Sequence, residues 1–402
     1  MTDLDRRGEA ARREAVHGLP AWTYENAELL ALEYERLFLG SWQAVCHVSD
    51  VAAPGDYLTF DLMRDSILVI RDRDGALRAF QNVCRHRGAR LLDGRGRLST
   101  RLLCPYHGWA YHLDGRLAAV PAEGTFPGLD KTCLGLTEVQ LDILLGFVFV
   151  RVAGDGPSLE EMWGAYAERI APYRPEEMTA LYPPVVQEWA CDWKTAVDNN
   201  QENYHIPVGH PGYFRLLERG GDSFGNRYGV GGSVSRHRTK PSSNWVERMY
   251  QDLAPKVLDH LPEEKRTLWQ FFSMLPNHGI DVYPDSMDFF QILPLGPGRC
   301  QVRVAAYALP DARREVTLLR YLNGRINRHV LDEDRWLSER VQKGLRSHGY
   351  APGPLSVIED GVKELHDLVR AACPVAALPE APPPGAVARR DAALRAERAA
   401  AE

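Results

Sequence analysis

The chain of 402 residues carries 48 Lys and Arg against 54 Asp and Glu, a net charge of −6, with 45% hydrophobic and 25% charged residues. That length allows two or three units with cores of their own, and the balance disfavours disorder and gives no broad basic footprint for nucleic acid. The longest apolar run, ILLGFVFV from Ile143 to Val150, is far too short to span a membrane as a helix.

In chain order, the opening MTDLDRRGEAARREAVHG is charged throughout and lacks the apolar stretch of a secretory signal, so the cytoplasm is the expected location. Seven scattered cysteines, an odd number, argue against a disulfide framework. From Tyr57 to Val150 short alternating runs such as SILVIRD and LRAFQNV, joined by Asp74-Gly75 and Asp114-Gly115, predict a compact all-β domain. ILLGFVFV reads as one buried strand inside it. Ser158 and Glu161 have capping-box spacing and open a helix, which places the start of a second domain there. That domain mixes strand-like runs, FFQILPL and CQVRVAAYAL, with long helices from about Ala312 to Leu345 and from Glu359 to Ala372, an α+β pattern. The expected division is an N-terminal segment 1–44 packing on the second domain, a β domain 45–157, a second domain 158–378 and a low-complexity tail 379–402. The tail reads as a solvated helix or a frayed end.

Two segments concentrate metal ligands. Cys84-Arg85-His86-Arg87-Gly88 is followed, with seventeen residues between His86 and Cys104, by Cys104-Pro105-Tyr106-His107-Gly108-Trp109. Two thiolates and two imidazoles on separate loops suit a two-iron, two-sulfide cluster with a cysteine-held and a histidine-held iron. A structural zinc site is the alternative, although zinc motifs usually space their first pair as Cys-x2-4-Cys. In the second domain, DWKTAVDNNQENYH places Asp198, Asn199, Glu202 and His205 near one face of an expected helix, and Pro207 and Gly209 break it before His210. Two imidazoles five positions apart need a carboxylate to complete the face that holds ferrous iron in oxygenases. Val330, Asp334, Leu337 and Val341 form a helical stripe, but periodicity alone favours Asp334 pairing with Arg328 or Arg335.

CRHRG followed by CPYHGW resembles the Rieske motif of ring-hydroxylating oxygenases. DNNQENYHIPVGHP and LDEDRWLSERVQKGL resemble that family's two iron-binding segments, and the resemblance runs from LPAWTYENAELL to QKGLRSHGYAPGPLSVIEDGVKELH. It implies a Rieske [2Fe-2S] domain ahead of a catalytic domain with a central antiparallel sheet of the helix-grip, START-like kind. By the same resemblance Cys84 and Cys104 ligate one cluster iron, His86 and His107 the other, and His205, His210 and Asp334 hold a mononuclear Fe(2+). The acid at Glu202 would bridge the centres, accepting from His205 and reaching His107 of the adjacent subunit. The family implies a terminal oxygenase fed by an NAD(P)H-dependent reductase or ferredoxin. It implies a homotrimer with or without a small β subunit, and hydroxylation or oxidative demethylation of a small organic molecule. Glu202 and the QKGL…PGPLS segment are similar to the branch acting on carnitine, choline and betaines, while the absence of ECYH departs from it. Aromatics including Tyr204, Tyr213, Phe214, Tyr228, Trp245, Phe289 and Phe290 are candidates for a cation cage or simply core; His260 and His278 read as surface or packing residues. An electron carrier without oxygenase chemistry and a zinc scaffold are the rival readings.

Overall fold

The structure, a computed structural model, describes residues 17–218 and 223–400. The charged opening 1–16, including most of the stretch read for a signal, lies outside the described residues.

The β-rich strand runs pair as expected into a seven-stranded antiparallel sheet. Its order is Gln43–His47, Phe147–Arg151, Glu138–Leu144, Leu77–Gln81, Asp65–Arg71, Asp56–Leu62 and Arg95–Arg97. A small sheet of Leu102–Leu103, Ala110–Tyr111 and Leu117–Ala119 sits beside it. One strand expectation fails. ILLGFVFV is two strands, because Leu145 and Gly146 take positive φ of 53° and 77° and turn the chain back on itself. Two consecutive left-handed residues make the tight turn whose twist matches a hairpin. Gly146 is required for a second reason: a Cβ there would lie 2.3 Å from Nε2 of buried His47.

The capping box of Ser158 and Glu161 forms, opening the helix Leu159–Ile170. Beyond it the second domain is an eight-stranded antiparallel sheet with central strands Arg299–Ala308, Met287–Gly296, His278–Val282, Leu268–Met274 and Val230–Arg236. One face packs toward the first domain through Phe272, Ile280, Met287 and Phe289; the other, through Trp269 and Phe271, packs on Tyr213 and the long helix Arg314–Leu345.

A buried ion cluster ties the helix Trp193–Asn200 in place. The Lys194 ammonium lies 2.9 Å from Glu33 and 2.8 Å from Asp192, and Trp193 Nε1 donates to Glu33 at 2.9 Å. Gln342 on the long helix accepts the Asp192 N–H at 2.7 Å. The tail is docked and not frayed: its helix Val387–Ala399 buries Val387 and Asp391, the latter bound to Arg36 and to the Val375 N–H, while Glu28 accepts the N–H groups of Gly385 and Val387. Among the described residues no helix is long and apolar enough to cross a membrane.

Lys194→Met should lower stability by about 3–5 kcal/mol, because it leaves two buried carboxylates without their cation. Arg299→Ala, which removes an exposed partner of Glu188, should cost under about 1 kcal/mol. Urea unfolding of both variants checks the contrast; equal shifts would refute it.

Candidate metal centres

Two loops of the β domain repeat one conformation. The Gly88 N–H donates to Cys84 O and the Gly108 N–H to Cys104 O, both at 3.0 Å, and each cysteine N–H closes its loop on the residue after the glycine, at Ala89 O and Trp109 O, both at 2.8 Å. Gly88 and Gly108 hold φ of +72° and +71°, a conformation glycine adopts without strain. The equal turns bring Cys84 and Cys104 into the core and leave His86 and His107 half-exposed at the rim, their Nδ1 atoms 3.1 Å apart. Trp109 stacks on His86 at 4.8 Å, and Tyr111 Oη lies 3.3 Å from Cys84 Sγ. Thiols inside and imidazoles at the rim are the donor set of a cluster with one cysteine-held and one histidine-held iron. A single zinc fits poorly. Its four ligand atoms would crowd around one ion, yet among the described residues the one trio whose ligand atoms all lie within 4.8 Å of one another is elsewhere.

That trio is His205, His210 and Asp334. The expected single helix through Glu202 and His205 is not formed. The helix Trp193–Asn200 stops at Gln201, in a stretch rich in asparagine, whose side chain competes for the backbone. Glu202 then restarts the chain by accepting the N–H groups of Tyr204 and His205, the latter at 3.0 Å. Pro207 sits in the first turn of the short helix Ile206–Gly209, where its missing N–H costs nothing, and His210 follows at its end. Asp334 is delivered by the middle of the long helix.

Each imidazole is oriented by an acid. His205 Nδ1 lies 2.5 Å from Glu202 Oε1, and His210 Nδ1 lies 2.9 Å from Glu333 Oε2. A carboxylate at Nδ1 holds the proton there and leaves the Nε2 lone pair free. Both Nε2 atoms turn to one point, 3.0 Å apart, with Asp334 Oδ1 at 2.8 Å from that of His210 and 3.7 Å from that of His205. Asp334 Oδ1 is buried, yet its approach to His210 lacks hydrogen-bond geometry and leaves it without a partner. Two free imidazole lone pairs and an unpartnered carboxylate oxygen fit a divalent ion. The arginines expected from periodicity are not used: Arg335 pairs with Glu339, and Asp334 ion-pairs with histidines alone among the described residues. The apolar stripe is partial, since Val330 is buried but Val341 is exposed.

Sequence reasoning missed Glu333, which its position beside Asp334 could have signalled. It also missed Asp281, Asp288 and Tyr283 on the sheet below; the segment DVYPDSMD, three acids around a Pro turn, was their signal. Of the aromatic candidates, Tyr213 lies against His210 at 5.9 Å, Phe289 packs on the opposite sheet face, and Tyr204 and Trp245 are exposed. His278 is buried, and burial pushes its pKa down to about 3; that of His260 is also lowered, mainly by burial.

The Rieske [2Fe-2S] domain family matches residues 41–134, and the ring hydroxylating alpha subunit (catalytic domain) family matches residues 173–374. The glycine betaine monooxygenase oxygenase subunit of Chromohalobacter salexigens is 29% identical, over 89% of this chain and 86% of its own. The carnitine monooxygenase oxygenase subunit of Escherichia coli K12 is also 29% identical, over 87% and 92%. A solved quaternary ammonium Rieske monooxygenase is 25% identical with a TM-score of 0.77, covering 90% of this chain and 97% of that one. The catalytic-domain match sets aside the carrier and scaffold readings. A [2Fe-2S] cluster and a mononuclear iron are the cofactors, and a reductase or ferredoxin, dioxygen and a small substrate are the partners. The chain belongs to the ring-hydroxylating alpha-subunit family of Rieske non-haem iron oxygenases, and it is a terminal oxygenase subunit.

Proposed function

We propose that Cys84 and Cys104 hold one cluster iron, His86 and His107 the other, and His205, His210 and Asp334 the mononuclear iron of an enzyme that oxidises a small cationic amine. The product is a hydroxylated or demethylated amine. The observation that carries the site assignment is the trio of ligand atoms within 4.8 Å, each imidazole already held at Nδ1 by a carboxylate. When bound, the two metal groups supply reductase-derived electrons and dioxygen activation. The protein residues set the geometry. Glu202 and Glu333 fix the tautomers, and Tyr213 stands beside His210 as a wall for substrate. The amine assignment is supported by the glycine betaine and carnitine oxygenases among the relatives.

The same reading makes the enzyme a cytoplasmic head-to-tail trimer served by an NAD(P)H-dependent reductase, directly or through a ferredoxin. Two unlike exposed apolar patches support the assembly: Leu103 and Tyr106 in and beside the cluster loop, and Tyr204 and Val208 in the segment that follows Glu202. Contact between unlike patches closes into a ring when the rotation allows. His107 then meets Glu202 of the partner subunit, in keeping with the inter-subunit electron transfer named for the solved monooxygenase. A small β subunit has no necessary part in this arrangement.

Purified protein should contain about three irons per chain, two in the cluster and one outside it. Oxygen uptake with a surrogate reductase should be stimulated by methylated amines and not by aryl carboxylates or methoxyarenes; the reverse preference overturns the amine reading. Cys104→Ser should bleach the visible spectrum and leave the mononuclear iron.

Asp334→Ala should empty the mononuclear site with the cluster spectrum intact, and Glu333→Gln should weaken iron binding there about 10- to 100-fold, measured by chelator competition. Unchanged iron affinity in both would return the two acids to the helix surface.

Glu202→Gln keeps size and removes charge. Folding and cluster spectrum should survive, reductase-driven turnover should stop, and peroxide should still yield some product. Normal turnover with reductase and oxygen would dismiss the bridge.

A further inference from the structure

Beneath the iron trio the sheet sets two acids side by side on one face. Asp281 and Asp288 are direct cross-strand partners on neighbouring antiparallel strands, in a row that continues to Phe271 on one side and Ala306 on the other. Side chains of one row share one face, and Phe271 places this face against Tyr213 and the long helix. Asp288 is 6% exposed and its Oδ1 has no partner. Asp281 accepts from Tyr283 Oη at 3.3 Å. No ammonium or guanidinium pairs with either acid among the described residues, and each lies in the field of the other.

Two ionised carboxylates set side by side, Asp288 buried and Asp281 half-buried, cost several kcal/mol unless a cation or a proton compensates. Among the described residues no cation does so, and the donor that reaches the pair is the Tyr283 hydroxyl. A metal does not fit, since two carboxylates with no third ligand do not form a site, and none is found there among the described residues. The surroundings are aromatic: Tyr213 packs on Trp269 at 5.4 Å and on Phe271 at 6.2 Å, and Tyr283 packs on Trp269 at 4.6 Å. Tyr213 also touches His210, so the aromatic wall runs from the iron trio to the acids.

Resting on the amine reading above, we infer that Asp281 and Asp288 form the anionic subsite for the substrate's ammonium group, and that the substrate is a protonated amine with an N–H and no carboxylate beside it. An unpartnered carboxylate oxygen calls for a donor, which a quaternary nitrogen lacks. A zwitterion would bring its own carboxylate against two others. Aromatic faces add attraction for the alkyl-ammonium body. Without a cation the pair retains protons: burial pushes Asp281 up to about 7 and Asp288 well above the carboxylate range. An entering ammonium takes the place of that proton. The other titratable groups facing the pair are Tyr213, Tyr283, Tyr182 and Asp334.

The test is anaerobic titration calorimetry of the iron-replete protein with four probes of similar size. They are N,N-dimethylethanolamine (protonated tertiary amine), choline (quaternary), 3,3-dimethyl-1-butanol (neutral) and N,N-dimethylglycine (zwitterion). The tertiary amine should bind at least about tenfold more tightly than the neutral and zwitterionic probes, with choline between. Asp288→Asn and, independently, Asp281→Asn should erase that gap while iron content and cluster spectrum stay as in the parent protein. Either variant should unfold at the same or a higher temperature, because each removes one of two adjacent acids that no cation pairs among the described residues. Equal binding of the amine and neutral probes, choline as the tightest ligand, or a preference that survives both substitutions overturns the subsite. Reductase-driven turnover separates the two levels. Amine turnover with no change of preference in the variants removes only the subsite, whereas turnover confined to uncharged aromatics removes the amine reading itself.

Discussion

Glu202 accepts three hydrogen bonds within four residues of chain: from the backbone N–H groups of Tyr204 and His205, and from Nδ1 of His205. One carboxylate thereby restarts the chain after the helix Trp193–Asn200, sets the tautomer of His205 and turns its Nε2 inward. Were the helix to continue through His205, the imidazole would follow the helical periodicity, and the short helix that carries His210 would begin elsewhere. The convergence of the three ligand atoms depends on this interruption, and the interruption depends on an acceptor oxygen at position 202.

The rest of the catalytic domain keeps that interruption rigid. Lys194, Glu33 and Asp192 lock the preceding helix to the N-terminal segment, while Gln342 locks it to the same long helix that carries Asp334. Asp198, a turn before Glu202, is held by Tyr24 and His366. Ligands from distant parts of the sequence thus share one set of buried polar contacts. Such contacts are costly to leave unsatisfied, which makes them effective at fixing one arrangement.

Much of this was legible in the sequence. Cys-x-His and Cys-x2-His with their following glycines specify the two loops locally, because each needs a left-handed residue at one position and little else. The capping box at Ser158, the strands of the first domain and the long helix follow from nearest-neighbour rules. What was not legible depended on tertiary choices. ILLGFVFV has no conventional turn residue except Gly146, so only the packing against His47 reveals the hairpin. The Ala-rich tail docks through Asp391, a residue whose burial is decided by Arg36 far away in sequence. Asp334 could have paired with a neighbouring arginine, and helical periodicity cannot say that Arg335 prefers Glu339. Asp281 and Asp288 look like loop residues until the register sets them side by side.

Lone-pair arithmetic links the two centres. An ionised carboxylate offers about four acceptor positions. Three on Glu202 are taken within its own chain, and among the described residues no other side chain donates to it. About one position remains, on a side chain whose neighbours Tyr204 and Val208 face outward, Val208 at 89% exposure. On the cluster loops of the first domain His107 lies at the rim beside Tyr106, exposed at 57%, although buried Cys84 and Cys104 on the same loops are well covered. Each end thus lacks what the other supplies: an acceptor beside an apolar patch, and an imidazole edge beside another. A donor and acceptor of this kind gain strength when water is excluded, and apolar rims exclude it. The head-to-tail assembly proposed above is the arrangement in which both ends are satisfied in every subunit, because a ring leaves neither a free first end nor a free last one.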